Sequence, residues 1–373
     1  MKRFLEPFTF ENGAELRNRI MLAPMTNFSS ADTGETTPEE REYYRVRSRG
    51  AGAVITACAN VTPGGKGFPG EIGADRDDLV PSLGELASVI KKEGAKAILQ
   101  IYHGGRMAPP NLLPDEQPVS ASAVPAAREN APVPRKLEAA EIDEIIRAYG
   151  EGTRRAIEAG YDGVEIHGAN TYLIQQFFSP HSNRRTDEWG GTLEKRMRFP
   201  LAVLNEVKKA AEAADSQFLV GYRISPEEME EPGITMEDTL ALVNTLTEEG
   251  LDYLHVSVQD FHAGSMRDKE DTRSRVQLIQ DEVGSRVPVV GVGSLHTPDD
   301  VEKAMEGGVP LMALGRELIV EPEWVEKAAE GRESEIRTEL SVDDRETLVV
   351  PEPLWNAIVN TPGWFPVKEH AEK

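Results

Sequence analysis

A (β/α)8 TIM barrel is the fold class that this 373-residue chain predicts, with an N-terminal β-hairpin before it and a long loop after its third strand. Three observations predict it. Eight short apolar runs, each the length of a buried parallel strand, alternate with stretches of helical character. Several helical stretches stop at a glycine (Gly94, Gly160, Gly250), the natural residue for a helix end. No Gly-x-Gly-x-x-Gly stands between an early strand and its helix, which disfavours a doubly wound sheet of two halves.

The elements follow in order. Phe8–Leu16 carries an Asn12-Gly13 turn between two alternating runs, a hairpin signal. Asn18–Met25 reads as the first strand. Thr37–Arg49 is helical, started by Thr36 or Thr37 with Pro38 at the first helical position. Strands are expected at Ala53–Ala57, Ala97–Tyr102, Gly163–His167, Phe218–Arg223, Tyr253–Val258, Val287–Val292 and Leu311–Leu314. Helices are expected at Leu79–Glu93, Ile142–Ala159, Leu193–Ala214, Thr235–Glu249, Ser274–Val283, Pro298–Glu306 and Pro322–Glu330. The Gly104–Arg135 stretch has no periodicity and leaves the end of the third strand, so it reads as a functional loop. Residues 1–341 form the barrel. Residues 342–373 form an extension with prolines and two tryptophans, packed on the barrel or on a neighbouring subunit.

Composition narrows the function classes. The formal net charge is −23, from 64 acidic and 41 basic residues. Such a surface repels nucleic acid and anionic membrane. No segment approaches the roughly 18 apolar residues of a membrane span, and the N-terminus lacks a signal-peptide core. One cysteine, Cys58, excludes an internal disulfide and a thiolate metal or iron–sulfur site. The expectation is a cytoplasmic enzyme acting on small molecules, with no metal.

In a barrel, function gathers at the carboxyl ends of the strands. Here those ends hold Pro24 and Thr26, Cys58, Gln100 with His103, His167 with Asn170 and Tyr172, Arg223, Gly293 with Ser294, and Gly315 with Arg316. His167, Asn170 and Tyr172 cluster at one strand-to-helix turn. Two hydrogen-bond donors and a phenol there suit polarising a carbonyl and delivering a proton. An amide, a hydroxyl, an arginine and a glycine–arginine anion site suit a flavin ring with a phosphate tail.

The motifs that carry these residues resemble one family. Leu22–Thr26 (LAPMT), Gln100–Arg106 (QIYHGGR), Asp162–Gly191 (DGVEIHGANTYLIQQFFSPHSNRRTDEWGG) and Leu314–Ile319 (LGRELI) are similar to the old yellow enzymes, FMN-dependent ene-reductases of the NADH:flavin oxidoreductase type. The resemblance spans about residues 4–330. It implies bound FMN, NADH or NADPH as reductant, and hydride transfer to an alkene conjugated to a carbonyl or nitro group.

The resemblance also implies roles. Pro24 and Thr26 adjoin the flavin, with the Thr26 hydroxyl on its O4. Gln100 matches N3–H and O2 of the ring edge. Arg223 stabilises charge on N1 and O2, or forms a buried ion pair with Glu165, or does both. Gly293, Ser294, Gly315 and Arg316 cradle the phosphate. Cys58 lies against the flavin as a small buried hydrophobe. His167 and Asn170 bind the substrate carbonyl oxygen, and Tyr172 protonates the α-carbon. His103 and Arg106 receive no chemistry. His181, Asn183, Arg184 and Asp187 tie the loop after the fourth strand.

Two departures stand out. The Cys58–Gly73 segment differs from the family's commoner pattern and adjoins the flavin, and the Trp-containing tail lies outside the shared core. Competing readings keep FMN but change the acceptor or take an amine substrate, or make the chain a flavin-binding protein without turnover. A Schiff-base lyase needs a lysine at a strand end, and no expected strand carries one. A homo-oligomer is compatible with everything above.

Overall fold

Eight runs of aliphatic residues, too short and too apolar to stand alone, bury both faces by pairing edge to edge. In the computed structural model, which describes residues 2–368, they are β1 (Ile20–Leu22), β2 (Ala53–Ile55), β3 (Lys96–Tyr102), β4 (Gly163–Gly168), β5 (Leu219–Ile224), β6 (Tyr253–Val256), β7 (Val289–Gly291) and β8 (Leu311–Leu314). Each pairs in parallel with the next, and β8 returns to β1 with Ala313 opposite Met21. The ring is closed, as the alternation of elements predicts.

Helices α1 (Pro38–Ser48), α2 (Val80–Lys92), α3 (Ala139–Glu158), α4 (Leu193–Ala211), α5 (Met236–Glu248), α6 (Arg275–Val283), α7 (Pro298–Met305) and α8 (Trp324–Ala329) surround it. Their starts follow from side chains. Thr37, not Thr36, caps α1 by accepting from the Glu40 N–H, and Thr235 and Thr297 form reciprocal capping boxes with Asp238 and Asp300. No helix among the described residues is long and apolar enough to cross a membrane.

Several boundaries differ from the apolar pattern by a few residues, and two of them bear on the site's frame. The first strand is shorter than Asn18–Met25 because the Asn18 side chain itself engages backbone, donating to the Gly50 carbonyl at 2.7 Å and accepting from the Ile20 N–H at 3.1 Å. The third strand starts at Lys96, so one strand does carry a lysine. It lies at the amino end, where its Nζ is 3.5 Å from Asp162.

The hairpin closes that amino end. Phe8–Thr9 pairs antiparallel with Glu15–Leu16, and Gly13 takes a φ of +86° in the turn. Phe10, Ala14 and Leu16 then pack on Met21, Ala53, Ile98, Leu219, Tyr253 and Leu311 inside the ring. With the floor filled, the carboxyl end is the open one.

The long loop is ordered by its own contacts. Val119–Ser120 pairs with Arg135–Lys136, and Arg106 donates to the Val124 and Pro125 carbonyls. In the C-terminal segment, α9 (Glu352–Asn360) buries Leu354, Trp355 and Ile358 in the same core as the barrel. Arg47 of α1 donates to the Leu348 and Val349 carbonyls. The segment then runs to Val367–Lys368, beside Leu340–Ser341, and lays Gly363 and Trp364 at the open face.

Candidate active site

A cavity of about 520 Å3 opens at the carboxyl ends of β1, β5, β7 and β8. Its walls include Ala23, Pro24, Met25, Arg223, Gly293, Ser294, Gly315, Arg316 and, from the tail, Trp364. A second cavity of about 550 Å3 adjoins it through Val258 and Gln259 and holds Asn170, Ser225 and Ser257.

Arg223 sets the electrostatics of the first cavity. It is 7 % exposed and makes no hydrogen bond or ion pair with any described residue, and its Nε is fully enclosed. Burial lowers its pKa, but a guanidinium starts far above neutrality and stays charged. The ion pair with Glu165 does not form. Glu165 instead accepts from Gln100 Nε2 at 2.7 Å and the Tyr253 hydroxyl at 3.1 Å, and faces His255 Nδ1 at 3.0 Å. Those partners take the carboxylate away from hydrogen bonding with Arg223, although each charge still favours the other. An enclosed, unpaired cation is costly unless something anionic meets it.

The two glycine loops bring backbone close to the same space. Gly293 has a φ of +125°, and a Cβ there would lie 2.8 Å from the Phe261 nitrogen. Ser294 also has positive φ, and its hydroxyl donates to the Gln259 carbonyl at 2.9 Å. A Cβ on Gly315 would meet Met25 Sδ at 2.9 Å. Arg316 donates to the Trp364 carbonyl at 3.2 Å.

Thr26, Cys58, His167 and Tyr172 gather around Tyr102, outside the linings of these two cavities. Cys58 is buried with its thiol near the Tyr102 and Thr26 hydroxyls, and burial pushes its pKa well up. His167 is buried, and Nδ1 accepts the Ala169 N–H at 3.3 Å, which leaves the ring proton on Nε2. Burial, with Arg223 and His255 nearby, holds its pKa well below the usual value, so the ring is neutral. The Tyr172 ring lies 4.9 Å from the His167 ring and 5.0 Å from the Tyr102 ring, both edge-on. Burial and the neighbouring Cys58 and Glu71 push its pKa well up, so it is a phenol.

Asn170 stands apart. Its φ of +53° and the +69° of Thr171 swing the side chain outward. The Asn170 carboxamide oxygen accepts from the Ser257 and Ser225 hydroxyls at 2.9 and 3.3 Å. Its carboxamide nitrogen has no partner among the described residues. His167 and Asn170 therefore share no hydrogen bond, and of the two it is Asn170 that lines the second cavity.

The rim motif works as a tie, but through Arg185 more than Arg184. Arg185 pairs with Asp187 at 2.6 Å and donates to the Ala121 and Leu137 carbonyls. Asn183 donates to the Phe177 and Trp189 carbonyls. The sequence analysis passed over Met25, Trp364, Tyr102 and Glu71. Met25 and Tyr102 stand inside the LAPMT and QIYHGGR motifs and Trp364 in the Trp-containing tail, while Glu71 is the one acid within Cys58–Gly73. Among the described residues, no group of three or more His, Cys, Asp or Glu could hold a metal.

Residues 3–335 match the model of the NADH:flavin oxidoreductase / NADH oxidase family. A probable NADH-dependent flavin oxidoreductase of Bacillus subtilis (strain 168) is 50% identical, over 99% of each chain. The NADH:fumarate oxidoreductase of Klebsiella pneumoniae (strain 342) is 47% identical over 95% of this chain, which covers only 38% of that protein. Among solved structures, morphinone reductase superposes with a TM-score of 0.76 and 26% identity, over 88% of this chain and 90% of its own. The old yellow enzyme homologue from Zymomonas mobilis gives 0.76 and 25%, over 88% and 92%.

Proposed function

The chain belongs to the NADH:flavin oxidoreductase / NADH oxidase family, and from that premise we propose that it reduces the C=C bond of α,β-unsaturated carbonyl or nitro compounds. It is an NAD(P)H-dependent FMN oxidoreductase. FMN, when bound, carries hydride from the nicotinamide to the acceptor. The residues present fit it: Arg223 is an enclosed cation without a hydrogen-bond partner among the described residues, Gly293 leaves no room for a side chain against backbone, and Gly315 brings its backbone close beneath Met25.

Each role then rests on this chain's own chemistry. Arg223 holds the electron-rich edge of the ring. Gln100 keeps its carbonyl oxygen as an acceptor while its amide is steadied by Glu165. Thr26 offers its hydroxyl beside Cys58, and Pro24 shapes the wall. Gly293, Ser294, Gly315 and Arg316 receive the phosphate, Ser294 through backbone because its hydroxyl is committed. The neutral His167 donates from Nε2 to the substrate's carbonyl oxygen, where negative charge grows as hydride arrives at the β-carbon. Asn170 supplies its unpartnered amide nitrogen from the adjoining cavity. Tyr172 gives its phenolic proton to the α-carbon.

The observation that carries this reading is the neutral donor His167 set edge-on against the enclosed phenol of Tyr172. The test is spectroscopic. Anaerobic NADH or NADPH should bleach the flavin of the purified protein, and 2-cyclohexenone should restore it. A flavin that bleaches but is restored only by oxygen overturns the alkene reading.

One observation favours a second reading, in which the acceptor is not an alkene held in this barrel. The chain spans under two-fifths of the NADH:fumarate oxidoreductase it matches. A barrel of this kind could oxidise the nicotinamide and pass the electrons to another redox centre.

A further inference from the structure

Glu71 is a buried acid that none of these roles uses. It lies between β2 and α2 and is 3 % exposed. Its Oε2 accepts from the Tyr102 hydroxyl and from the Gly67 and Phe68 N–H groups at 3.0 and 2.9 Å. Its Oε1 is enclosed and has no partner among the described residues. Tyr102 stands on β3, and its ring meets the Tyr172 ring edge-on at 5.0 Å. The Phe68 ring also meets Tyr172 edge-on, at 6.2 Å. The carboxyl, the two phenols and the Cys58 thiol therefore occupy one enclosure.

We propose that Glu71 is a protonation gate for Tyr172: with a neutral carboxyl the phenol can release its proton, and with a carboxylate it cannot. Glu71 is a positioning residue here, acting through the field it sets at Tyr172. The gate rests on the reading of Tyr172 as the acid in alkene reduction. The physical reason is like-charge repulsion. A tyrosinate left after proton donation and a carboxylate would share one poorly solvated space, and two anions in such a space resist coexistence. Burial already pushes the Glu71 pKa up to about 8. The groups facing it are Tyr102 from β3, Cys58 from beyond β2, Tyr172 from beyond β4, and Lys66 of its own loop. The Lys66 ammonium is turned to the Asp32 carbonyl at 2.8 Å. Lys66 is thus the one cation facing Glu71 among the described residues, while the Arg223 guanidinium acts on Tyr172 from the β5 side and favours its anion, so the carboxylate is the group that opposes proton release.

The test follows reoxidation of the NADH-reduced, FMN-loaded protein by 2-cyclohexenone in stopped flow. The wild-type rate should be about tenfold lower at about pH 9 than at about pH 7. In Glu71→Gln the two rates should agree within about twofold, because the amide keeps the three hydrogen bonds and cannot ionise. Reduction by NADH, which needs no proton from Tyr172, should show no such limb in either protein. Tyr102→Phe is a second variant. It removes a hydrogen bond that favours the carboxylate, so the limb should move to higher pH. Independently of turnover, infrared spectroscopy should show a protonated-carboxyl carbonyl band near pH 7 that is absent from Glu71→Gln. A wild-type limb that survives in Glu71→Gln, or the absence of that band, overturns the gate and leaves the ene-reductase reading intact. Failure of the enone to reoxidise any variant overturns the functional reading and the gate with it.

Discussion

Arg223 of β5 is paired in register with His167 of β4, which puts a buried guanidinium beside a buried neutral imidazole. The charge on one is part of why the other stays neutral. The cation has no hydrogen-bond or ion-pair partner among the described residues, and replacing it should have opposite effects on the two forms of the protein. Arg223→Met should weaken FMN binding by about ten- to a hundredfold, the worth of one or two hydrogen bonds from a charged group. Without FMN the same variant should unfold at a higher temperature, because an unpaired buried charge is gone. Flavin fluorescence titration and thermal melts with and without FMN check both signs.

Tyr172→Phe separates the two halves of the proposed cycle. It removes the phenolic proton and keeps the ring contacts with Tyr102, His167 and Phe68. Reoxidation by an enone should slow by about a hundredfold or more, the usual share of a positioned general acid. Reduction by NADH should change little. Rapid-mixing spectroscopy of each half gives the ratio directly.

The barrel was legible because its strands are short apolar runs bounded by turn signals, and because β-to-α alternation admits few closures. Gly293, Ser294, Gly315 and Arg316 fell into one cavity for the same reason: they follow β7 and β8, whose order fixes their place. What the pattern could not carry was the partner of each polar group. Glu165 lies two residues from His167 on one strand face, which made Arg223 its natural partner. Its carboxylate goes instead to Gln100, Tyr253 and His255, and the last two arrive on a strand about ninety positions away. Asn170 was readable as a residue but not as a direction, since two successive left-handed residues decide where it points. Glu71 was readable as the one acid of its segment but not as a buried one, since Tyr102, its hydrogen-bond donor, reaches it only in the closed ring.

Acid should destabilise the fold through its buried imidazoles. His103, His167 and His255 are buried, and burial lowers the pKa of each, His103 to about 4. The unfolded chain takes protons near pH 6.5, and the folded chain resists until a lower pH. Stability from these groups is therefore whole above about pH 6.5 and is lost as pH falls toward the folded values. For His103 alone the loss approaches about 3 kcal/mol at pH 4. Urea unfolding between about pH 7 and pH 4 should show the decline, and His103→Gln should flatten part of it.

Gly293→Ala tests the phosphate loop without touching a charged group. The residue sits at a φ of +125°, and an added Cβ would come within 2.8 Å of the Phe261 nitrogen, whose N–H donates to the Gly293 carbonyl at 3.0 Å. The methyl cannot be absorbed by a rotamer change, because what it strikes is backbone. The loop after β7 must then open or slide, and the Ser294 hydroxyl loses its fixed distance to the Gln259 carbonyl. Strain of this kind costs about 1–3 kcal/mol. It should appear twice, as a lower melting temperature and as weaker binding of both FMN and inorganic phosphate. Weaker binding of riboflavin to the same degree as FMN would place the damage at the ring instead, and would remove Gly293 from the phosphate site.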